Sequence, residues 1–273
     1  DSDTNIWKPI DVSGLTFGNN GFYLDFENSG SLGADVSGNG NNFTVNNLTS
    51  IDQSTDTCTN NFATFNPLLD VNATPTLSEG NLKAQGQSSG NARFSGSTIS
   101  VANGKWYYEI KVTKASSSPY CGILDSQSKS RRNSIYFLNS DHDANNPSGF
   151  AVNMSGDIYH NNSSTYATSI GSISTGDILG FAIDMDSSPK TMEIYKNGVS
   201  QRSFNIDDPP SGFYMLACIS SYNEASAIAE VNFGSPSFSI SSGNSDANGY
   251  GNFEYSVPSG YYSICTKNLA EYG

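Results

Sequence analysis

The sequence predicts an all-β protein, an antiparallel sandwich, and three observations carry that expectation. Apolar residues recur with period two in one segment after another. The composition suits strands and tight turns, with 31 Asn and 26 Gly beside 15 Tyr and 15 Phe. No stretch shows three turns of amphipathic helix, which sets aside helical bundles and doubly wound nucleotide folds. Hydrophobic residues make up 36% of the chain and aromatics 12%, enough to bury a core despite a mean hydropathy of −0.40.

The first strand lies in GLTFGNNGFYLDFENS, where Phe22, Leu24 and Phe26 share a side. ADVSGNGNNFTVNN follows, a Gly-Asn turn running into Phe43–Val45. Residues 66–104, with Pro67 and Pro75, are the least patterned and read as a linker or as long surface loops. In GKWYYEIKVT, Trp106, Tyr108, Ile110 and Val112 face one way, and Lys105, Tyr107, Glu109 and Lys111 the other. SGFAVNMSGDIYHN is a hairpin turning at Ser155-Gly156-Asp157. DILGFAIDMD sets Leu179, Phe181, Ile183 and Met185 on one side, while Gly180 and Ala182 leave room on the other. TMEIYKNGV carries Asn197-Gly198, a strong hairpin signal. FYMLACISS and AEVNFG are further strands, and residues 236–250 an exposed loop. FEYSVPSGYYSICTKNL closes the chain as a strand pair or a docked tail. Trp106, Tyr108, Ile110, Leu179, Phe181, Ile183 and Phe233 form the expected core, and Trp7 pins the N-terminal arm.

Charge limits the partners. Thirteen basic and 26 acidic residues leave −13, so nucleic acid and anionic membranes, which demand a basic face, are not expected. No apolar run has the length of a membrane span. Asp1–Asn5 lacks a start-like feature and reads as a cut from a longer protein. Cys58, Cys121, Cys218 and Cys265 lie far apart and share no ligand spacing with His142 or His160, so no zinc or other cofactor is expected. Cys121 and Cys218 sit in apolar runs and read as buried thiols.

Residues 104–234 resemble a SPRY domain. The pieces are GKWYYEIKV at 104–112, YCGIL at 120–124, GFAVNMSGDIYHN at 149–161, STGDILGFAIDMDSSPKTMEIYKNGV at 174–199 and MLACISSYNEASAIAEVNFG at 215–234. The flank at 21–47 is similar to opening strands of laminin-G or concanavalin-like segments in bacteriophage structural proteins. The closing segment is similar to the end of phage tail-fibre and virion-surface proteins. The resemblance implies a concanavalin-like, SPRY-type β-sandwich on a virion, binding rather than catalysing. It implies one body over residues 1–273: 1–103 as N-terminal strands and loops, 104–234 as the SPRY-like core, 235–273 as the closing part. A lone hairpin from 21–47 is marginal in water, so it is expected to dock on that body.

No catalytic constellation stands out. Asp184 and Asp186 close a strand, Asp141 and Asp143 belong to a loop, and no E-x-D-x-x-E strand or G-x-S-x-G elbow occurs. Sugars are held by aromatic faces with amides and hydroxyls, which this chain has in excess. The candidate ligand-binding residues are therefore Tyr120, Tyr166, Tyr222 and Asn223, with Arg131 and Arg132 as a pair for a sugar carboxylate or sulfate. All six are expected between strands, where side chains are free of the core. The function expected is a phage tail-fibre module recognising host cell-surface glycan, as a homo-oligomer, a trimer if a fibre. A head or tail decoration protein contacting other virion proteins is the alternative, and a polysaccharide-degrading enzyme a third.

Overall fold

The computed structural model describes residues 12, 14–49, 52–53, 56–57, 59–69, 75–86, 92–115, 119–127, 149–160, 163–209, 211–222 and 228–273. The chain divides into two compact units, Asp1–Asn61 and Phe62–Gly273. Trp7 and the Asp141/Asp143 pair lie outside the described residues.

The second unit is a two-sheet antiparallel sandwich. Its strands are β1 (Thr76–Ser78), β2 (Lys83–Gln85), β3 (Ala92–Ser95), β4 (Ser100–Val101), β5 (Lys105–Lys114), β6 (Tyr120–Asp125), β7 (Gly149–Asn153) and β8 (Ile158–His160). They continue as β9 (Ser163–Ala167), β10 (Ile178–Asp184), β11 (Lys190–Lys196), β12 (Val199–Ile206), β13 (Tyr214–Tyr222), β14 (Ile228–Asn232) and β15 (Tyr262–Ser263), and helix α1 (Thr266–Tyr272) follows. One sheet runs β1-β2-β14-β5-β10-β11-β12, with β15 also on β5; the other runs β3-β13-β6-β7-β8-β9, with β4 on β13. The "least patterned" stretch thus supplies four strands.

Period two places the core as the sequence predicts. Trp106, Tyr108, Ile110, Leu179, Phe181, Ile183 and Phe233 are fully buried and meet Cys121, Ile123, Phe150, Val152 and Leu216 of the facing sheet. Tyr108 and Phe181, paired across β5 and β10, stack at 5.0 Å. Asn197 and Gly198 have φ of 50° and 77°, the left-handed pair that a tight hairpin needs, between β11 and β12. Cys121 is a buried free thiol whose pKa burial pushes up to about 12.

The outer face of β5 is not the solvent face that alternation suggests. Tyr107 and Glu109 are buried, and Phe253 packs edge-on against Tyr107. The Glu109 carboxylate accepts the N–H of Glu254 (3.0 Å) and Tyr255 (2.9 Å), Asn232 Nδ2 (3.2 Å) and the Tyr107 hydroxyl (3.3 Å). Asp246 does the same for the end of the chain, accepting Ser263 N–H and Oγ and Asn268 Nδ2. The segment after residue 235 is therefore a docked tail with one two-residue strand and a short helix, not a strand pair. β15 lies parallel to β5, pairing Tyr262 with Trp106.

The first unit holds no strand or α-helix among its described residues. The strand expected over Phe22–Phe26 does not form: Phe26 has φ 58°, a left-handed conformation that ends extended backbone. Side chains organise this unit instead. Asp35 accepts the N–H of Tyr23, Ser37 and Asn41, and Asn39 Nδ2 donates to the carbonyls of Gly18 and Gly21. The Ser37 side chain, with the N–H groups of Tyr23, Ser37 and Asn41, holds the Asp35 carboxyl well below the usual range. Phe22 and Phe43 meet edge-on at 4.6 Å, yet each is about half exposed.

Candidate functional site

β12 is the last strand of one sheet and β9 the last of the other. The mouth between these two edges is where aromatic side chains reach the surface. Tyr166 of β9 donates its hydroxyl to the carbonyl of Asn205 on β12 at 3.0 Å, which fastens one edge to the other. Its ring lies 5.2 Å from Phe150, 4.8 Å from His160 and 5.9 Å from Phe204. Phe150 is fully buried, and His160 stacks on it at 4.0 Å with the planes 5° apart. Tyr166 itself remains 37% exposed. The cluster is a core at its inner end and a surface at its outer end.

Polar contacts fix the rings. His160 Nδ1 lies 3.0 Å from the Gly149 carbonyl, and Nε2 lies 3.1 Å from an Asp207 carboxylate oxygen. The Tyr214 hydroxyl donates to the Asp207 carbonyl at 3.0 Å. Burial, with the Asp207 charge nearby, pushes the Tyr166 hydroxyl above its ordinary pKa, so it stays a neutral donor. Along β12, Arg202, Phe204 and Ile206 take one face and Ser203 and Asn205 the exposed one. Cross-strand pairing sets Phe204 against Met192 and Arg202 against Ile194, both fully buried, so Arg202 shares the inner face. A site of this make-up offers ring faces, a hydroxyl and one guanidinium. Among the described residues no group of three His, Cys, Asp or Glu is placed to hold a metal ion.

Of the sequence-predicted residues, Tyr120 and Tyr166 lie on opposite faces of one sheet, and the three that are described lie in strands rather than between them. Tyr166 falls in β9, at the mouth. Tyr120 begins β6 on the opposite face of the same sheet, 8% exposed, edge-on to Tyr159 at 5.1 Å and packed with Leu124, Ala151 and Met215. Tyr222 ends β13, paired with Ala92, and its side chain lies outside the described set. Arg131, Arg132 and Asn223 also lie outside it. Sequence reasoning missed His160, Phe204 and Arg202. The alternation in VSQRSFNI was the available signal for the last two.

No family model matches the chain, and no curated protein matches it. Among solved structures it is similar to the SPRY domain of human HERC1, at 18% identity and a TM-score of 0.40, over 52% of this chain and 83% of that one. It is similar to the TRIM65 PSpry domain at 15% identity and a TM-score of 0.44, over 63% and 92%. A human SPRY domain gives 12% identity and a TM-score of 0.39, over 55% and 90%. These likenesses concern the fold of the sandwich alone.

Proposed function

We propose that the chain is a non-catalytic recognition module of a bacteriophage virion surface, as in a tail fibre, that binds a host cell-surface glycan at the mouth between β9 and β12. The observation that supports it is the partly exposed Tyr166 ring, backed by Phe150, His160 and Phe204. A sugar ring stacks on such a face while its hydroxyls meet neutral donors and acceptors. The virion setting rests on the likeness of residues 21–47 and of the closing segment to phage structural proteins. Single sites of this size bind weakly, and several copies on one fibre supply avidity.

The test is labelling of intact bacterial cells and of a glycan array by the purified, fluorescently tagged chain. Tyr166→Ala is expected to remove the signal while the melting temperature moves by only a few degrees. Unchanged labelling would overturn the reading.

A second reading, a decoration protein held by contacts with other virion proteins, is favoured by the first unit. Phe22, Phe26, Val36, Phe43 and Leu48 are each about half exposed there, and exposed apolar groups in such number mark protein contacts. Binding to assembled particles but not to cells would favour it.

A further inference from the structure

Among the described cations, Arg202 is partly buried yet unpaired, whereas the unpaired Lys114 is exposed to water. Lys105, Lys190 and Lys196 pair with Asp184, Asp208 and Asp177, Lys83 lies near Glu230, and Lys111 and Lys267 sit over aromatic rings. Arg202 has no ion pair and no hydrogen bond among the described residues, although acidic residues outnumber basic ones two to one. Its Nε is covered and lacks an acceptor, while its terminal nitrogens are not buried. Nearby acids are engaged elsewhere: Asp207 with His160, Asp208 with Lys190, and Glu193 with the Ser200 hydroxyl. A guanidinium on the inner face of an edge strand, with no acidic partner and its terminal nitrogens uncovered, presents a fork to an incoming anion.

Arg202 and Phe204 are successive inward residues of β12, about 7 Å apart along the strand. Phe204 in turn faces Tyr166 at 5.9 Å. We infer that the mouth takes an acidic saccharide, its ring against Tyr166 and Phe204 and its oxyanion held end-on by the two terminal nitrogens of Arg202. The planar fork matches a carboxylate with two parallel hydrogen bonds, and it matches a sulfate or phosphate ester equally well. The protein's overall negative charge then opposes non-specific adhesion of polyanions, so the anion is selected by geometry. The inference deepens the glycan reading and rests on it.

Affinity electrophoresis of the full chain through gels holding polygalacturonate, dextran sulfate or neutral dextran separates the two claims. Retardation by an anionic polymer is expected, with the carboxylate and sulfate gels telling the two oxyanions apart. Arg202→Gln should weaken it about tenfold to a hundredfold, the loss of a charged hydrogen-bonded pair. Arg202→Lys, which keeps the charge but loses the fork, should fall between, and melting curves of both variants exclude unfolding as the cause. Retardation by neutral dextran alone, lost in Tyr166→Ala and unchanged in Arg202→Gln, would overturn the inference and leave the glycan reading standing. No retardation in any gel, together with no signal on the glycan array, would overturn both.

Discussion

Glu109 is buried among donors, and its two oxygens meet four of them. Burial pushes its carboxyl above the usual range, against the pull of the Tyr255 and Glu254 N–H groups, Asn232 and Tyr107. Replacing it with Gln turns one acceptor into an NH2 group facing donors. Glu109→Gln is expected to cost about 2–3 kcal/mol in urea unfolding, although it removes a buried charge. Neutral or improved stability would show that the charge, not the acceptor count, governs the site. Alternation placed Glu109 correctly opposite Tyr108 but could not reveal that the far face is covered. Tyr120 misled for the same reason: beside Pro119 it reads as a loop aromatic, and Leu69 and Tyr159, remote in sequence, make it an interior residue.

At the scale of elements, carboxylates tie strand ends to turns. Asp184 ends β10 and meets Lys105, the first residue of β5, at 2.8 Å. It also caps the N–H groups of Asp186 and Ser187. Burial raises its pKa, but Lys105 and the two N–H groups outweigh that and leave it lowered. Asp177 is lowered in the same way, through Ser174, Asn197 and Lys196. A carboxyl with a depressed folded pKa contributes stability that is complete above its unfolded value, about 4, and is lost as pH falls through the folded one. Thermal stability should therefore drop steeply below about pH 4, and Asp184→Asn should flatten that drop while lowering the melting temperature at pH 7. An unchanged acid profile in Asp184→Asn would remove this pair from the account. The elements best read from sequence were those with local signals, such as the Asn197-Gly198 hairpin and the alternation of β5 and β10. β1 to β4 were not legible, because two to four residues are too few to show a period and their pairing partners lie far along the chain.

For the whole molecule, the buried core clusters of the described residues draw on the second unit alone, from Ala63 to Ile264. A fragment of residues 62–273 is expected to unfold in one cooperative step, monitored by circular dichroism and tryptophan fluorescence. Sequence reasoning expected the opposite, that residues 21–47 add strands to the sandwich, because FYLDF alternates as a strand does. Asp35 and its ring of backbone donors hold that segment in turns instead, a long-range polar arrangement that no periodicity displays. A fragment that melts without cooperativity would show that residues 1–61 complete the fold. The mouth itself was half legible: Tyr166 stood out as an aromatic among hydroxyl residues, while its neighbours are set by the meeting of two sheet edges.

The docked tail sets a timetable for synthesis. Glu109 finds its partner Tyr255 only 146 residues later, a wait of roughly 7–30 seconds at ribosomal rates of about 5–20 residues per second. Until then the back of β5 and β10, with Tyr107 and Ala182, stays uncovered on the nascent chain. A truncation before Phe253 would therefore leave a sandwich with one greasy side, a substrate for chaperones and proteases.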